Sequence, residues 1–140
     1  MIIDQLIEKI IAMQNPTCVG LDTQLDYLPA EMREGVETCE QAADAILAFN
    51  KKIVDSVCDI VPAVKVQIAY YEQYGAAGVA AFLATVAYAK EKGLFVIADC
   101  KRNDIGSTAA RYSAAYLGET SLGDKTVRVA GCDFLTVNAY

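Results

Sequence analysis

The chain has 140 residues, the length of one ordinary domain, and residues 1–140 are read as a single domain with no internal boundary. With 54% hydrophobic and 21% charged residues it is too apolar for a disordered segment and lacks the bias of a fibrous protein. Twelve Lys and Arg against eighteen Asp and Glu leave a net charge of −6, so no basic field awaits a phosphate backbone and nucleic acid is not expected as a partner.

The chain has no histidine. That excludes a Ser-His-Asp triad, a Cys-His pair and a histidine-ligated metal, and leaves proton transfer to Lys, Asp, Glu, Tyr or Cys. Cys18, Cys39, Cys58, Cys100 and Cys132 are odd in number and never form a CxxC pair, which disfavours a disulfide framework and a zinc site. They are expected to be reduced core residues of a cytoplasmic protein. Asp4, Glu8 and Lys9 interrupt the first ten residues, so no signal peptide is read there. The uncharged run from Tyr74 to Ala89 is shorter than the ~20 residues of a membrane span and predicts a buried helix, so no membrane partner is expected.

In chain order, Ile3, Leu6, Ile7, Ile10 and Gln14 recur at helical spacing until Asn15-Pro16 ends the pattern. Thr17 to Asp22 is a short apolar run closing on a carboxylate, which predicts a first, buried strand. Tyr27 to Glu40, with Pro29 and Gly35, has little periodicity and is expected to be a long loop with one helical turn at most. From Gln41, the residues Ala45, Ile46, Phe49, Ile53, Val54 and Val57 mark the apolar face of a helix, with Asn50, Lys51, Lys52 and Asp55 facing elsewhere. Pro62 precedes a second strand, Ala63 to Ile68, in which Lys65 and Gln67 share a face. Val79, Phe82, Leu83, Val86 and Lys90 describe a helix closed by Lys92-Gly93, and Leu94 to Ala98 is a third strand. The polar block Asp99 to Thr108 is a loop, Ala109 to Leu117 a helix ended by Gly118, and Gly131 to Asn138 a fourth strand.

Apolar strands alternating with helices predict the α/β class, a parallel sheet joined by right-handed helical crossovers. Sites in such sheets lie at the carboxyl ends of the strands, where Asp22, Lys65, Asp99, Lys101 and Asn138 fall. Asp99 and Lys101 are two apart and project to one side if the extended geometry continues, and Lys65 on the neighbouring strand can join them. Lysines alternating with aspartates stay charged in a low-dielectric pocket, which suits stabilising or protonating a carbanion. A structural ion-pair network at a sheet edge is the other reading of the same residues. Gly75-x-x-Gly78 follows no strand end and reads as packing rather than a dinucleotide fingerprint. Tyr70, Tyr71 and Tyr74 read as core or interface packing.

The segment Asp99-Cys100-Lys101-Arg102-Asn103-Asp104-Ile105-Gly106-Ser107-Thr108 resembles the Asp-x-Lys-x-x-Asp-Ile-x-x-Thr signature of orotidine 5′-phosphate decarboxylases, especially their second bacterial subgroup. The resemblance extends through Val19-Gly20-Leu21-Asp22, Val64-Lys65-Val66-Gln67 and Leu135-Thr136-Val137-Asn138, with Ala139 where the subgroup has proline. It implies a (β/α)8 TIM barrel of which this chain carries about the first four βα units, a half barrel, since such barrels run to ~250 residues. It further implies that Lys101 protonates C6 of the pyrimidine after carbon dioxide leaves and that Asp99 sits against the departing carboxylate. Lys65 would bridge the ribose and Asp99, Asp22 would bind a ribose hydroxyl, and Asp104 would reach the site across a homodimer interface. Ile105, Thr108 and Asn138 would be further substrate-binding positions. The implied reaction is the cofactor-free, metal-free conversion of the nucleotide orotidine 5′-phosphate to uridine 5′-phosphate in cytoplasmic pyrimidine biosynthesis.

Two alternatives stand beside it. A related sugar-phosphate decarboxylase or aldolase shares Asp-x-Lys-x-x-Asp but uses magnesium and places a glutamate at the end of the second strand, where this chain has none. The other is a non-catalytic half-barrel fragment. Four strands cannot close a barrel, so unpaired edges are expected on the first and fourth, and Val19, Val66 and Val137 are expected to lack an opposing layer.

Overall fold

The computed structural model describes residues 1–139. Its first helix, α1 (Ile2–Met13), ends where Gln14 enters the left-handed region at φ 51. Asn15 then ties the chain down: its Nδ2 donates to the Ile60 carbonyl (2.9 Å) and its Oδ1 accepts the Thr17 N–H (2.9 Å). With Lys9 Nζ donating to the Gly93 carbonyl (2.5 Å), these bonds hold α1 near the amino-terminal ends of two strands. Strand β1 (Cys18–Leu21) follows.

A 3-10 turn, Leu25–Tyr27, leads into the segment expected to be a long loop, which holds one helical turn as expected, α2 (Ala30–Arg33), but also the start of α3 (Cys39–Val57). Thr38 is the reason α3 starts before Gln41. Its Oγ1 accepts the Gln41 N–H (3.2 Å) while Gln41 Oε1 accepts the Thr38 N–H (3.1 Å), a reciprocal cap that apolar spacing does not register. Next come β2 (Ala63–Gln67), the single turn α4 (Ala69–Glu72) and α5 (Gly75–Glu91). Helix α5 buries one face, with Phe82, Thr85 and Val86 innermost, and exposes the other, so the uncharged run is one-sided rather than wholly buried. After β3 (Phe95–Asp99) and α6 (Gly106–Tyr116) comes a hairpin that the sequence pattern does not predict, β4 (Thr120–Leu122) and β5 (Lys125–Val127). Its two-residue connection opens on Gly123 at φ 63, a backbone state that suits the tight turn of a hairpin. The last element is β6 (Phe134–Leu135).

The main sheet is parallel in the order β1-β2-β3-β6, with a helix-containing connection between each strand and the next. One row across it is Leu21, Val66, Ala98 and Leu135, the adjacent row Gly20, Lys65, Ile97 and Phe134. Because side chains alternate, Val64, Val66, Val96 and Ala98 are buried completely, while Lys65, Gln67 and Ile97 on the opposite face are only half-buried. The expectation for the valines is therefore corrected. Val19 lies in the row of Val64 and Val96 and packs on the same core as Val66, whereas Val137 falls beyond β6 and is exposed. The face short of cover is the one bearing Cys18, Gly20, Lys65, Gln67 and Ile97. The fourth strand is also shorter than expected: it pairs with β3 at Phe134 and Leu135, and the residues on either side add the Asp133 N–H on Val96 O and the Thr136 N–H on Ala98 O (both 3.0 Å). Gly131 bends into it at φ 66, and beyond it the Asn138 N–H turns to Asn103 Oδ1 (3.0 Å) instead of the sheet.

Two further expectations change. Asn50, placed by its polarity off the apolar face of α3, is fully buried: its Oδ1 accepts the Thr23 hydroxyl (2.5 Å) and its Nδ2 donates to the Tyr71 hydroxyl (2.8 Å). A paired polar group is tolerated in a core, and here it joins α3 to the loop after β1 and to α4. Tyr71 is itself buried, edge-on to Phe82 with centroids 5.6 Å apart. Of the cysteines, only Cys100 and Cys132 belong to the core; Cys18 and Cys39 are exposed, and all five are free thiols. Burial pushes the Cys132 thiol up to about 12 and the Cys100 thiol up to about 11. Among the described residues no helix is long and apolar enough to cross a membrane.

Candidate active site

The carboxyl ends of β1, β2 and β3 bring three of the predicted charges together. Lys65 Nζ lies between two carboxylates, donating to Asp22 Oδ1 (2.8 Å) and to Asp99 Oδ2 (3.1 Å). Lys101 returns from beyond β3 to pair with Asp99 Oδ1. The result is an alternating row, Asp22-Lys65-Asp99-Lys101, whose four charges sum to zero. Asp99 is its least exposed member, with 10% of its side-chain surface open against 30% for Lys65, 43% for Asp22 and 48% for Lys101.

Asp99 receives two further donors that the sequence reading did not assign: Gln67 Nε2 on Oδ2 and the Thr136 hydroxyl on Oδ1 (both 2.9 Å). Each carboxylate oxygen thus accepts two hydrogen bonds, which uses the roughly four lone-pair sites a carboxylate offers. Burial alone pulls the Asp99 carboxyl up, but the bonds from Lys101, Thr136 and Lys65, with the Lys65 charge, outweigh it and hold the group below the usual carboxylate range. For Lys65 burial pulls the ammonium down, and Asp22 and Asp99 together overcome this and raise it above an ordinary lysine. Both groups are fixed in their charged forms.

The backbone of Lys101 is unusual. It stands at φ 49, one of two non-glycine residues in the left-handed region among the described residues, where a Cβ makes the conformation costly. Neighbouring groups hold it there. The Lys101 N–H donates to Thr136 Oγ1 (3.2 Å), and Arg102 anchors the next residue by donating to the Cys100 carbonyl (3.0 Å) and pairing with Glu72 of α4.

The other predicted positions lie apart from this row. Asp104 is exposed, accepts the N–H of its neighbour Ile105 (2.7 Å) and takes part in no ion pair among the described residues. Ile105 is 86% exposed, and Thr108 and Asn138 are exposed as well. Two signals could have found the missed residues: Gln67 shares a strand face with Lys65, and Thr136 comes directly after the strand beside β3, where a hydroxyl has the Asp99 carboxylate in reach.

Residues 16–140 match the family model described as the orotidine 5′-phosphate decarboxylase / HUMPS family. The whole chain is 41% identical to an orotidine 5′-phosphate decarboxylase from Clostridium perfringens (strain 13 / Type A) and 44% identical to one from Clostridium kluyveri, covering 44% of each. The chain therefore spans less than half the length of these curated relatives. Among solved structures, a protein from Toxoplasma gondii described as an orotidine-monophosphate decarboxylase superposes with a TM-score of 0.73 at 29% identity, over 98% of this chain and 40% of its own. The sheet of parallel βα units is accordingly about half of a TIM barrel. On the match of its sequence from residue 16 onward, this chain belongs to the orotidine 5′-phosphate decarboxylase / HUMPS family.

Proposed function

We propose that this chain supplies the charged half of a site that decarboxylates orotidine 5′-phosphate to uridine 5′-phosphate, a carboxy-lyase step of pyrimidine biosynthesis carried out in the cytoplasm without metal or organic cofactor. The observation that carries the reading is the Asp22-Lys65-Asp99-Lys101 row at the carboxyl edge of the sheet, with Asp99 bonded on both oxygens. In the reaction the C6–carboxylate bond breaks, carbon dioxide leaves, the electron pair stays on C6, and a proton from Lys101 Nζ completes the product. Asp99, saturated with donors, does not take up that proton and serves as a fixed negative charge against the substrate carboxylate. That carboxylate loses its charge as carbon dioxide forms, while the ammonium of Lys101 gains a developing carbanion to face. Both changes favour the transition state over the bound substrate, and the charges that produce them are in place beforehand. Lys65 and Asp22 hold Asp99 in position and present polar groups to the ribose. Asp104, with exposed Ile105 and Thr108, is the group a second subunit would receive in a homodimer with shared sites.

The magnesium-dependent sugar-phosphate chemistry of the wider family fits the residues less well. A cation shared by Asp22 and Asp99 would need the position that the Lys65 ammonium fills, and β2 offers Gln67 in place of a third carboxylate.

The deciding experiment joins residues 1–140 to the remaining length of the Clostridium kluyveri relative and follows the loss of orotidylate absorbance. Turnover that Lys101→Ala abolishes is expected. A folded chimera without turnover would overturn the proposal.

A further inference from the structure

We infer that Thr136 is a positioning residue for the Lys101–Asp99 pair. The inference rests on the decarboxylase reading only for its consequence in turnover, because the geometry stands by itself. An ionised carboxylate only accepts and a backbone N–H only donates, so the Thr136 hydroxyl has one possible polarity here. It accepts the Lys101 N–H at 3.2 Å and donates to Asp99 Oδ1 at 2.9 Å.

One oxygen atom at the residue that follows β6 therefore fixes two things. It restrains the backbone of a lysine at φ 49, the conformation from which its ammonium doubles back to a carboxylate two residues earlier. It also fills the second lone pair of the same Oδ1 that the ammonium uses. The Thr136 N–H is itself held by Ala98 O (3.0 Å), so the hydroxyl is carried by the sheet and not by a loop. Without it the Lys101 N–H has no partner among the described residues, Asp99 Oδ1 keeps a single donor, and the left-handed turn is released to less costly conformations. The charged groups facing Asp99 are then Lys65 from β2 and Lys101 from its own loop, with Asp22 of β1 behind Lys65 and neutral Gln67 beside it.

The near-isosteric Thr136→Val removes the hydroxyl and Thr136→Ser retains it. In the 140-residue chain, carboxyl-carbon NMR should show the Asp99 titration midpoint moving up in the Val variant, and amide exchange at Lys101 should quicken about tenfold, the scale of one neutral hydrogen bond. Ser should restore both to within about twofold of the parent. In the chimeric barrel, Thr136→Val should lower kcat about tenfold with KM nearly unchanged, and Ser should recover it. A Val variant with unchanged Asp99 titration and Lys101 exchange, or a Ser variant as altered as Val, refutes the inference even if Lys101→Ala still abolishes turnover. A barrel indifferent to Lys101→Ala, with the NMR response to Thr136→Val intact, instead refutes the decarboxylase reading and leaves the positioning role standing.

Discussion

Replacing Gly78 by alanine sets two effects of opposite sign against each other. Gly78 lies inside α5, where alanine is the better helix former by about 1 kcal/mol, so propensity alone predicts a more stable protein. The structure predicts the reverse. A Cβ at Gly78 would lie 1.8 Å from the Tyr71 carbonyl oxygen and 2.7 Å from its carbon. An ordinary carbon–oxygen contact is about 3.3 Å, so α4 and α5 must separate by about 1.5 Å at this point. The neighbour is backbone and cannot rotate away, and the residue that owns it anchors Asn50 through its hydroxyl and Phe82 through its ring. Forced overpacking costs about 1–3 kcal/mol, and strain on the buried Asn50–Tyr71 bond adds to it. The net effect is destabilisation by about 2 kcal/mol, a urea midpoint lower by about 1 M and a Tm lower by roughly 6–10 °C. Gly118→Ala is the control, since its Cβ would meet nothing closer than 3.5 Å. Urea titration followed by far-UV circular dichroism measures both variants. A Gly78→Ala protein as stable as its parent, or more so, would falsify the close approach of α4 and α5.

Other outcomes follow from the site. In the chimeric barrel Lys101→Ala should cost about 10²–10⁴-fold in kcat, the usual contribution of a positioned acid, and a loss under tenfold would remove Lys101 from that role. Mixing Asp104→Ala and Lys101→Ala chimeras should restore part of the activity, because a heterodimer then holds one intact shared site; silence despite demonstrated subunit exchange would show that Asp104 acts elsewhere. Asp99 is lowered in the folded state, so its stabilisation is present above the unfolded carboxylate range and fades as pH falls through its folded value; Lys65 is raised, so its share is present below about 10.5 and fades above that. Stability measured against pH should therefore be flat near neutrality and fall at both ends, with the acid limb shifted to higher pH in Thr136→Val. Finally, residues 1–140 alone should turn over orotidine 5′-phosphate negligibly even at high concentration, and a rate comparable to the chimera's would mean that the half barrel builds a complete site.

The framework was legible in the sequence because it rests on local pattern. Val64 and Val66 alternate with Lys65 and Gln67, and that period of two gave both the strand and the shared face that β2 displays. Asp99 and Lys101 could be paired by their spacing, although not by continued extension as expected: Lys101 turns left-handed and its ammonium folds back. Such a turn depends on Thr136, a residue 35 positions away whose contact no local spacing announces. Asn50 was misplaced for a related reason. Its polarity argued for solvent, and only the tertiary partners Thr23 and Tyr71 make burial tolerable. The hairpin of β4 and β5 was missed where three-residue strands lie on the surface with too few side chains to show a period.

The site has an electrostatic consequence that local geometry alone conceals. Asp22, Lys65, Asp99 and Lys101 cancel one another, and the chain around them carries a net charge of −6. An anionic nucleotide therefore gains no net attraction from this half, and the row lies on the sheet face that the helices leave only partly covered, where water screens its field. Covering that face would change both conditions. Excluding water strengthens each ion pair and the field that discriminates between a carboxylate and departing carbon dioxide, and positive groups placed outside this row could grip the phosphate whose binding energy holds the substrate against Asp99. On the proposed reading this half would contribute discrimination at the reacting carbon, and affinity for the rest of the nucleotide would be left to groups outside the row. That division accounts for a chain that holds every charge assigned to the chemistry and is still expected to turn over negligibly when isolated.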